Sequence, residues 1–98
     1  MYGLIAKMTL HPGRREEVVA LLAESSANMP GCFSYVIAND ATNEDILWVT
    51  EVWESKAAHD ASLNLRAVQA AIPRVKSLVA AFERIAETEP IAGLPFEP

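Results

Sequence analysis

Cysteine and histidine are scarce in this chain, which contains a single cysteine, Cys32, and two histidines, His11 and His59. One cysteine cannot form an internal disulfide, and such sparing use of cysteine is typical of proteins from a reducing cytoplasm. A structural zinc site needs about four histidine and cysteine ligands, which is more than the chain supplies. The sequence therefore predicts a cytoplasmic protein with no internal disulfide and no metal site.

Basic residues and long apolar runs are also in short supply. The chain has 8 lysines and arginines against 13 aspartates and glutamates, a formal net charge of −5. Surfaces that bind nucleic acid are usually basic, which argues against such a partner. No apolar run approaches the roughly 18 residues of a membrane span, and the first residues lack the layout of a signal peptide. We therefore expect neither nucleic acid nor a membrane as a partner.

The residues that are present predict one globular domain, because hydrophobic residues make up 51% of the chain and charged residues 21%. Four segments show the alternation or apolar content of β-strands. We place these strands at about residues 2 to 10, 32 to 40, 46 to 53 and 82 to 88. Helical spacing of apolar residues after the first strand predicts a helix that ends at about Asn28.

The segment between the third and fourth strands should be helical but interrupted. Ser55 is well suited to cap a short helix that runs to about Ser62. Asn64 can cap another helix that ends just before Pro73. Because proline in a helix interior costs about 3 kcal/mol, we expect Pro73 to begin a new segment that runs to about Ala81. The second half should therefore hold a broken helix.

The element order β-α-β-β-α-β with an antiparallel sheet predicts an α+β domain of the ferredoxin-like type. The third strand is apolar on both faces, with Ile46, Trp48 and Val52 on one face and Leu47, Val49 and Trp53 on the other. Helices on one side alone would leave the second face polar. We therefore expect a copy of the same sheet to cover that face in a homodimer. The alternative is that one tryptophan is an ordinary surface aromatic.

Four stretches of the chain resemble the antibiotic biosynthesis monooxygenase family, and in particular its small bacterial members that are similar to quinol monooxygenases. They are "HPGRREEVVALL", "MPGCFSYVI", "WVTEVWESKAAHDASL" and "AETEPIAGL". The most specific part is a Glu-x-Trp signature in the third strand with a histidine six residues later. The resemblance extends over residues 1 to 94 and leaves residues 95 to 98 as a C-terminal tail.

The resemblance implies a ferredoxin-like fold that pairs into a dimeric α/β barrel. It implies a pocket between the sheet and the helices of each subunit. It further implies that quinol-type or polycyclic aromatic substrates are oxygenated there by O₂, without metal, flavin or haem. The site of such a protein needs an apolar cavity, a group that removes or relays a proton, and exclusion of water.

His59 and Glu51 are the candidate catalytic residues. His59 lies one turn into the helix that Ser55 caps, and imidazoles exchange protons near neutral pH. From its spacing alone it could equally be a surface histidine. Glu51 interrupts an apolar strand and must be hydrogen-bonded, paired or protonated there. It could line the pocket, form an ion pair or contact a second subunit.

Trp53, Tyr35 and Arg66 are the candidate substrate-binding residues. Trp53 and Tyr35 could line a cavity for an aromatic ring, or could belong to the core. Arg66, near the start of the helix after Asn64, could hold an anionic quinol oxygen, although an exposed helix arginine has the same pattern.

Two other functions fit the same fold. One is a small-ligand isomerase, which would need a more polar pocket, and the other is a non-catalytic ligand-binding or stress-response dimer. Haem degradation is disfavoured, because the positions at which related haem-degrading proteins carry a tryptophan and a ligating histidine are occupied by Ser62 and Ile72.

Overall fold

Seven elements follow one another in the computed structural model, which describes residues 1–94. They are β1 (Tyr2–Leu10), α1 (Arg15–Ser25), β2 (Cys32–Asn39), β3 (Ile46–Trp53), α2 (Lys56–Ser62), α3 (Arg66–Leu78) and β4 (Val79–Thr88). The predicted tail, residues 95 to 98, lies outside the described residues. No helix within residues 1–94 has the length and hydropathy needed to cross a membrane.

The four strands form one antiparallel sheet in the order β2-β3-β1-β4. Each helical connection therefore returns the chain to a strand that is not adjacent to the one it left, while β2 and β3 form a hairpin. This arrangement confirms the predicted ferredoxin-like βαββαβ fold. The register places Glu51 opposite Leu4 of β1 and Tyr35 of β2, so these three side chains share one face of the sheet.

The face that carries Glu51 is the inner face, against which the helices pack. Val18 and Leu22 of α1 are buried against Leu47 and Val49 of β3. Trp53 lies at the end of β3 with 1% of its surface exposed, in a second cluster with residues of β1. The inner face therefore holds the hydrophobic core.

The opposite, outer face of the sheet carries Val36, Trp48 and Val52, and the packing of the helices on the inner face leaves it open. Val36 keeps 52% of its surface exposed, and Trp48 is half-buried. The Trp48 indole donates a 2.8 Å hydrogen bond from Nε1 to Asp40, and Lys7 Nζ lies 5.8 Å from its ring centroid. The sheet thus presents an apolar surface with polar groups at its margin.

Helix α3 corrects the expected break at Pro73, because it runs without interruption from Arg66 to Leu78. Its N-cap is Leu65 instead of Asn64. Continuing the helix lets Val75 pack on the core, and such packing outweighs local propensity. Pro73 is on the exposed side, so the carbonyl it leaves without a helical partner can be hydrated.

Two other boundaries differ from the prediction. β4 begins at Val79, directly after α3, and α1 ends at Ser25. The hydroxyl groups of Ser25 and Ser26 donate to carbonyl oxygens one turn earlier, at Leu22 and Ala23. Serine side chains that bond to the backbone in this way compete with helix continuation.

Replacing Pro73 with alanine should raise the free energy of unfolding by about 1 kcal/mol or more, because the helix regains a hydrogen bond and loses a steric clash. Thermal or urea unfolding measures this change. The exposed neighbouring substitution Arg74→Ala is the control for helix propensity. A Pro73→Ala protein that is less stable than wild type would show that α3 depends on its proline.

Candidate active site

A cavity of about 530 Å³ lies between the inner face of the sheet and the three helices. Its size falls within the roughly 300 to 1,000 Å³ of typical small-molecule sites. Most of its lining is apolar, including Leu4, Met8 and Val49 from the sheet and Val68 and Ile72 from α3. The cavity is therefore suited to an apolar ligand that is oriented by a few polar groups.

The first polar group is the pair formed by Glu51 and Trp53. Residues two apart in a strand share a face, so both side chains turn towards the cavity. The Trp53 indole donates a hydrogen bond of 2.9 Å from Nε1 to Oε1 of Glu51. Glu51 is only 8% exposed, and the indole provides the partner that a buried carboxyl requires.

His59 is held above this pair by helix α2. The Ser55 side chain caps α2 by accepting a 3.0 Å hydrogen bond from the backbone N–H of Ala58, as the sequence predicts. His59 is 5% exposed, and its ring lies between two aromatic rings. Its ring centroid is 5.4 Å from that of Trp53 and 5.5 Å from that of Tyr2.

The two ring nitrogens of His59 face different surroundings. Nδ1 lies 3.1 Å from Oδ1 of Asp60, whose side chain is 58% exposed. Nε2 faces inward, 3.9 Å from Oε1 of Glu51. A carboxylate only accepts hydrogen bonds, so the contact with Asp60 favours the tautomer with its proton on Nδ1. Nε2 is then free to accept a proton on the cavity side.

Burial dominates the acid–base properties of the inner face. It raises the pKa of Glu51, and the Trp53 hydrogen bond, His59 and Arg84 offset only part of that rise. Burial also raises the pKa of Tyr35, and the neighbouring Glu51 raises it further. Burial therefore shifts both groups towards their protonated forms, and the phenol of Tyr35 can act as a hydrogen-bond donor.

The structure brings together four of the five predicted site residues. Glu51, Trp53, Tyr35 and His59 all line the cavity, whereas Arg66 does not. Arg66 is exposed at the first position of α3. It precedes the cavity-lining Val68 by two residues, which is a rotation of about 200° around the helix.

Arg84, Lys76 and Asp60 were not identified from the sequence. Arg84 of β4 and Lys76 of α3 line the cavity. The alternation of the segment "FERIAET" places Arg84 on the same face of the strand as Phe82, so the sequence alone could have indicated its orientation. Lys76 and Asp60 have no comparable signal, because their roles depend on how the helices dock.

Within residues 1–94, no group of three or more His, Cys, Asp or Glu side chains is arranged to hold a metal ion. Ser62 and Ile72 both line the cavity, and neither side chain is of a type that ligates haem iron.

Comparison with known proteins identifies relatives of this chain. The profile of the family described as "Antibiotic biosynthesis monooxygenase" matches residues 1–74. A crystal structure from Chloroflexus aurantiacus J-10-fl, of a proposed antibiotic biosynthesis monooxygenase, is 48% identical, with a TM-score of 0.90 over 94% of each chain. A protein from Nitrosomonas europaea with the same description has a TM-score of 0.83 over 93% of this chain and 99% of its own, at 14% identity, which shows the fold alone.

One curated relative, the uncharacterised protein sll1783 from Synechocystis, is 38% identical over 52 residues. That match spans 50% of this chain and 35% of the relative. The chain therefore corresponds to about a third of that protein's length.

Replacing Glu51 with glutamine should make the protein progressively more stable than wild type as the pH rises above 4.5, the ordinary pKa of the carboxyl. Because the folded-state pKa is raised, the stability that the protonated group contributes is present below pH 4.5 and is lost as the pH rises through the folded pKa. Each pKa unit corresponds to about 1.4 kcal/mol.

Urea unfolding at a series of pH values between 4 and 8 measures this difference. The same substitution at the exposed Glu54 is the matched control. A Glu51→Gln advantage that stayed constant with pH would mean that the carboxyl ionises as readily when folded as when unfolded.

Proposed function

The chain belongs to the antibiotic biosynthesis monooxygenase family, and we propose that it oxidises quinol-type or polycyclic aromatic substrates with O₂ and without metal, flavin or haem. The observation that carries this proposal is the position of His59. Its Nε2 faces the interior of an apolar cavity, while its Nδ1 contacts a carboxylate at the surface. This is the arrangement that removal of a proton from a buried substrate hydroxyl requires.

The cavity accounts for the aromatic substrate class. Its volume of about 530 Å³ and its apolar lining suit a fused-ring ligand. The Trp53 ring is fixed by its bond to Glu51, so it offers a rigid part of the cavity wall. Tyr35 lines the same cavity and can donate its phenolic proton to a ligand oxygen.

The proposed chemistry begins with transfer of a substrate hydroxyl proton to Nε2 of His59. The Nδ1 proton can pass to Asp60, whose exposed side chain delivers it to solvent. The resulting phenolate donates one electron to O₂, and the two radicals combine to form a carbon–oxygen bond. The peroxide anion then takes up a proton that returns from solvent through Asp60 and His59, which gives the hydroperoxide. Loss of water from the hydroperoxide then leaves the quinone. The whole reaction consumes one O₂, places one of its oxygen atoms in the product and releases the other as water. An apolar cavity protects the radical pair from side reactions.

Glu51 is proposed to position Trp53 and His59 at the inner end of the cavity. It accepts the hydrogen bond from Trp53, and its Oε1 lies 3.9 Å from Nε2 of His59. Arg66 has no part in this proposal, because it does not line the cavity.

The proposal predicts that chelator-treated protein, without added flavin, consumes O₂ with reduced naphthoquinols or anthrols. His59→Ala should lower the rate by about 10- to 10⁴-fold at neutral pH, the range for loss of general acid–base catalysis. The deficit should shrink at high pH, where more of the substrate ionises unaided. An oxygen electrode measures the rate, and His11→Ala at an exposed position is the control.

Three results would contradict the proposal. Wild-type turnover in a folded His59→Ala protein would exclude His59 as the base. A requirement for added metal or flavin would exclude the cofactor-free reaction. Ligand binding without O₂ uptake would favour a binding protein, and conversion of the ligand to an isomer would favour an isomerase.

The outer face of the sheet supports a further part of the proposal, that two copies of the chain associate through it. Val36, Trp48 and Val52 form an apolar surface that the helices leave uncovered. Burial of apolar surface contributes about 25 cal/mol per Å², and a second copy offers the same surface in return. The product is the dimeric α/β barrel that the resemblance implies.

Light scattering should therefore give about twice the 10.7 kDa mass of the chain at micromolar concentration. Val36→Lys should shift the protein to the monomer, because it places a charge in the buried interface. Ala20→Lys, on the exposed surface of α1, is the matched control and should leave the dimer intact. A wild-type monomer, or equal effects of the two lysines, would exclude this interface.

A further inference from the structure

Two basic side chains line a cavity that is otherwise mostly apolar. They are Lys76, in the last turn of α3, and Arg84, on the inner face of β4. Among residues 1–94, neither forms an ion pair with a carboxylate, although acidic residues outnumber basic residues in the chain by 13 to 8. Both side chains are exposed, and Glu87 of β4 lies on the same face of the sheet as Arg84, opposite Leu4. Two cations without an ion pair at the cavity of an acidic protein are still a local reversal of charge.

The only carboxyl group that lines the cavity within the described residues is Glu51, which is buried and bonded to Trp53. Arg84 is close enough to Glu51 to act on it electrostatically, but it forms no direct bond with it. The cavity therefore has a surplus of positive charge, and an anionic group of the ligand would neutralise it.

The register of the sheet separates the two kinds of polar group along the cavity. Glu51 lies opposite Leu4 in β1, whereas Arg84 lies opposite Ala6 on the other side of that strand. Two strand spacings put their backbones roughly 10 Å apart. A fused-ring ligand can span that distance, with one oxygen at the His59 end and a second, charged oxygen at Arg84.

We propose that the cavity selects aromatic ligands that carry an oxyanion, a phenolate or a carboxylate, and that Arg84, assisted by Lys76, determines this specificity. The inference rests on the proposed function for the site and adds the charge of its substrate. Both residues lie beyond the family match at residues 1–74, so the match does not account for them. A guanidinium can bind a carboxylate through two parallel hydrogen bonds, which makes Arg84 the stronger of the two groups.

Anaerobic fluorescence titration with 2-naphthoate and with 2-naphthamide, its neutral counterpart of similar shape, tests this specificity through the tryptophan in the cavity wall. Wild-type protein should bind 2-naphthoate about 10-fold more tightly than 2-naphthamide. Arg84→Gln should remove most of that preference, because it weakens 2-naphthoate binding far more than 2-naphthamide binding. Lys76→Gln should have a smaller effect of the same kind, and added salt should weaken only 2-naphthoate binding.

Arg74→Gln is the matched control, because Arg74 is exposed on α3 and lies outside the cavity. Equal wild-type affinity for the two ligands would overturn the proposal. So would a loss of 2-naphthoate affinity in Arg74→Gln or Arg66→Gln as large as that in Arg84→Gln, since the effect would then report general surface charge. Residual 2-naphthamide binding also verifies that the Arg84→Gln protein is folded.

The titration is independent of oxygen chemistry, because neither naphthalene ligand is a quinol. A preference for 2-naphthoate in a protein that consumes no O₂ with quinols would support the oxyanion site and contradict the proposed oxygenase activity. Quinol oxidation by a protein that does not distinguish the two ligands would support the oxygenase activity and contradict the oxyanion site.

Discussion

The hydrogen bond from the Trp53 indole to the Glu51 carboxyl is the contact on which the candidate site depends. A carboxyl buried without a partner would destabilise the fold by about 1 to 3 kcal/mol. The indole satisfies one oxygen and lowers the pKa of the carboxyl, which offsets part of the rise that burial causes. That bond also fixes the indole as a wall of the cavity and as one of the two rings that hold His59. A single contact thus holds a buried carboxyl, a wall of the cavity and a neighbour of the candidate base in place.

The sheet separates two roles by its faces. The inner face presents Glu51 and Trp53 to the cavity, and the central position of β1 brings Arg84 on β4 to the same cavity. The outer face has no catalytic candidate and offers an apolar surface for a second copy. Because side chains alternate along a strand, a change of one residue in register would exchange these roles. The β2-β3 hairpin and the pairing of β1 with β3 therefore determine both the site and the proposed interface.

Local signals predicted β1, β3 and the Ser55 cap, because alternation and capping depend on neighbouring residues. The Glu-x-Trp pattern also predicted that Glu51 and Trp53 share a face. The predicted helix break at Pro73 is wrong, because packing of α3 on the sheet outweighs the local cost of proline. Alternation in β4 assigns Arg84 to a face of the sheet, but its position beside the cavity also depends on which strands pair. The rotation of α3 turns Arg66 away from the cavity. Contacts between distant segments thus limit what the sequence alone can predict about the site.

The most direct test of the proposed site is a crystal structure of the protein grown anaerobically with a naphthoquinol. Its ring should lie in the inner cavity against Trp53, with one hydroxyl oxygen within about 3 Å of Nε2 of His59. A quinol bound on the outer face, or in the cavity with both hydroxyls directed away from His59, would contradict His59 as the group that accepts the substrate proton.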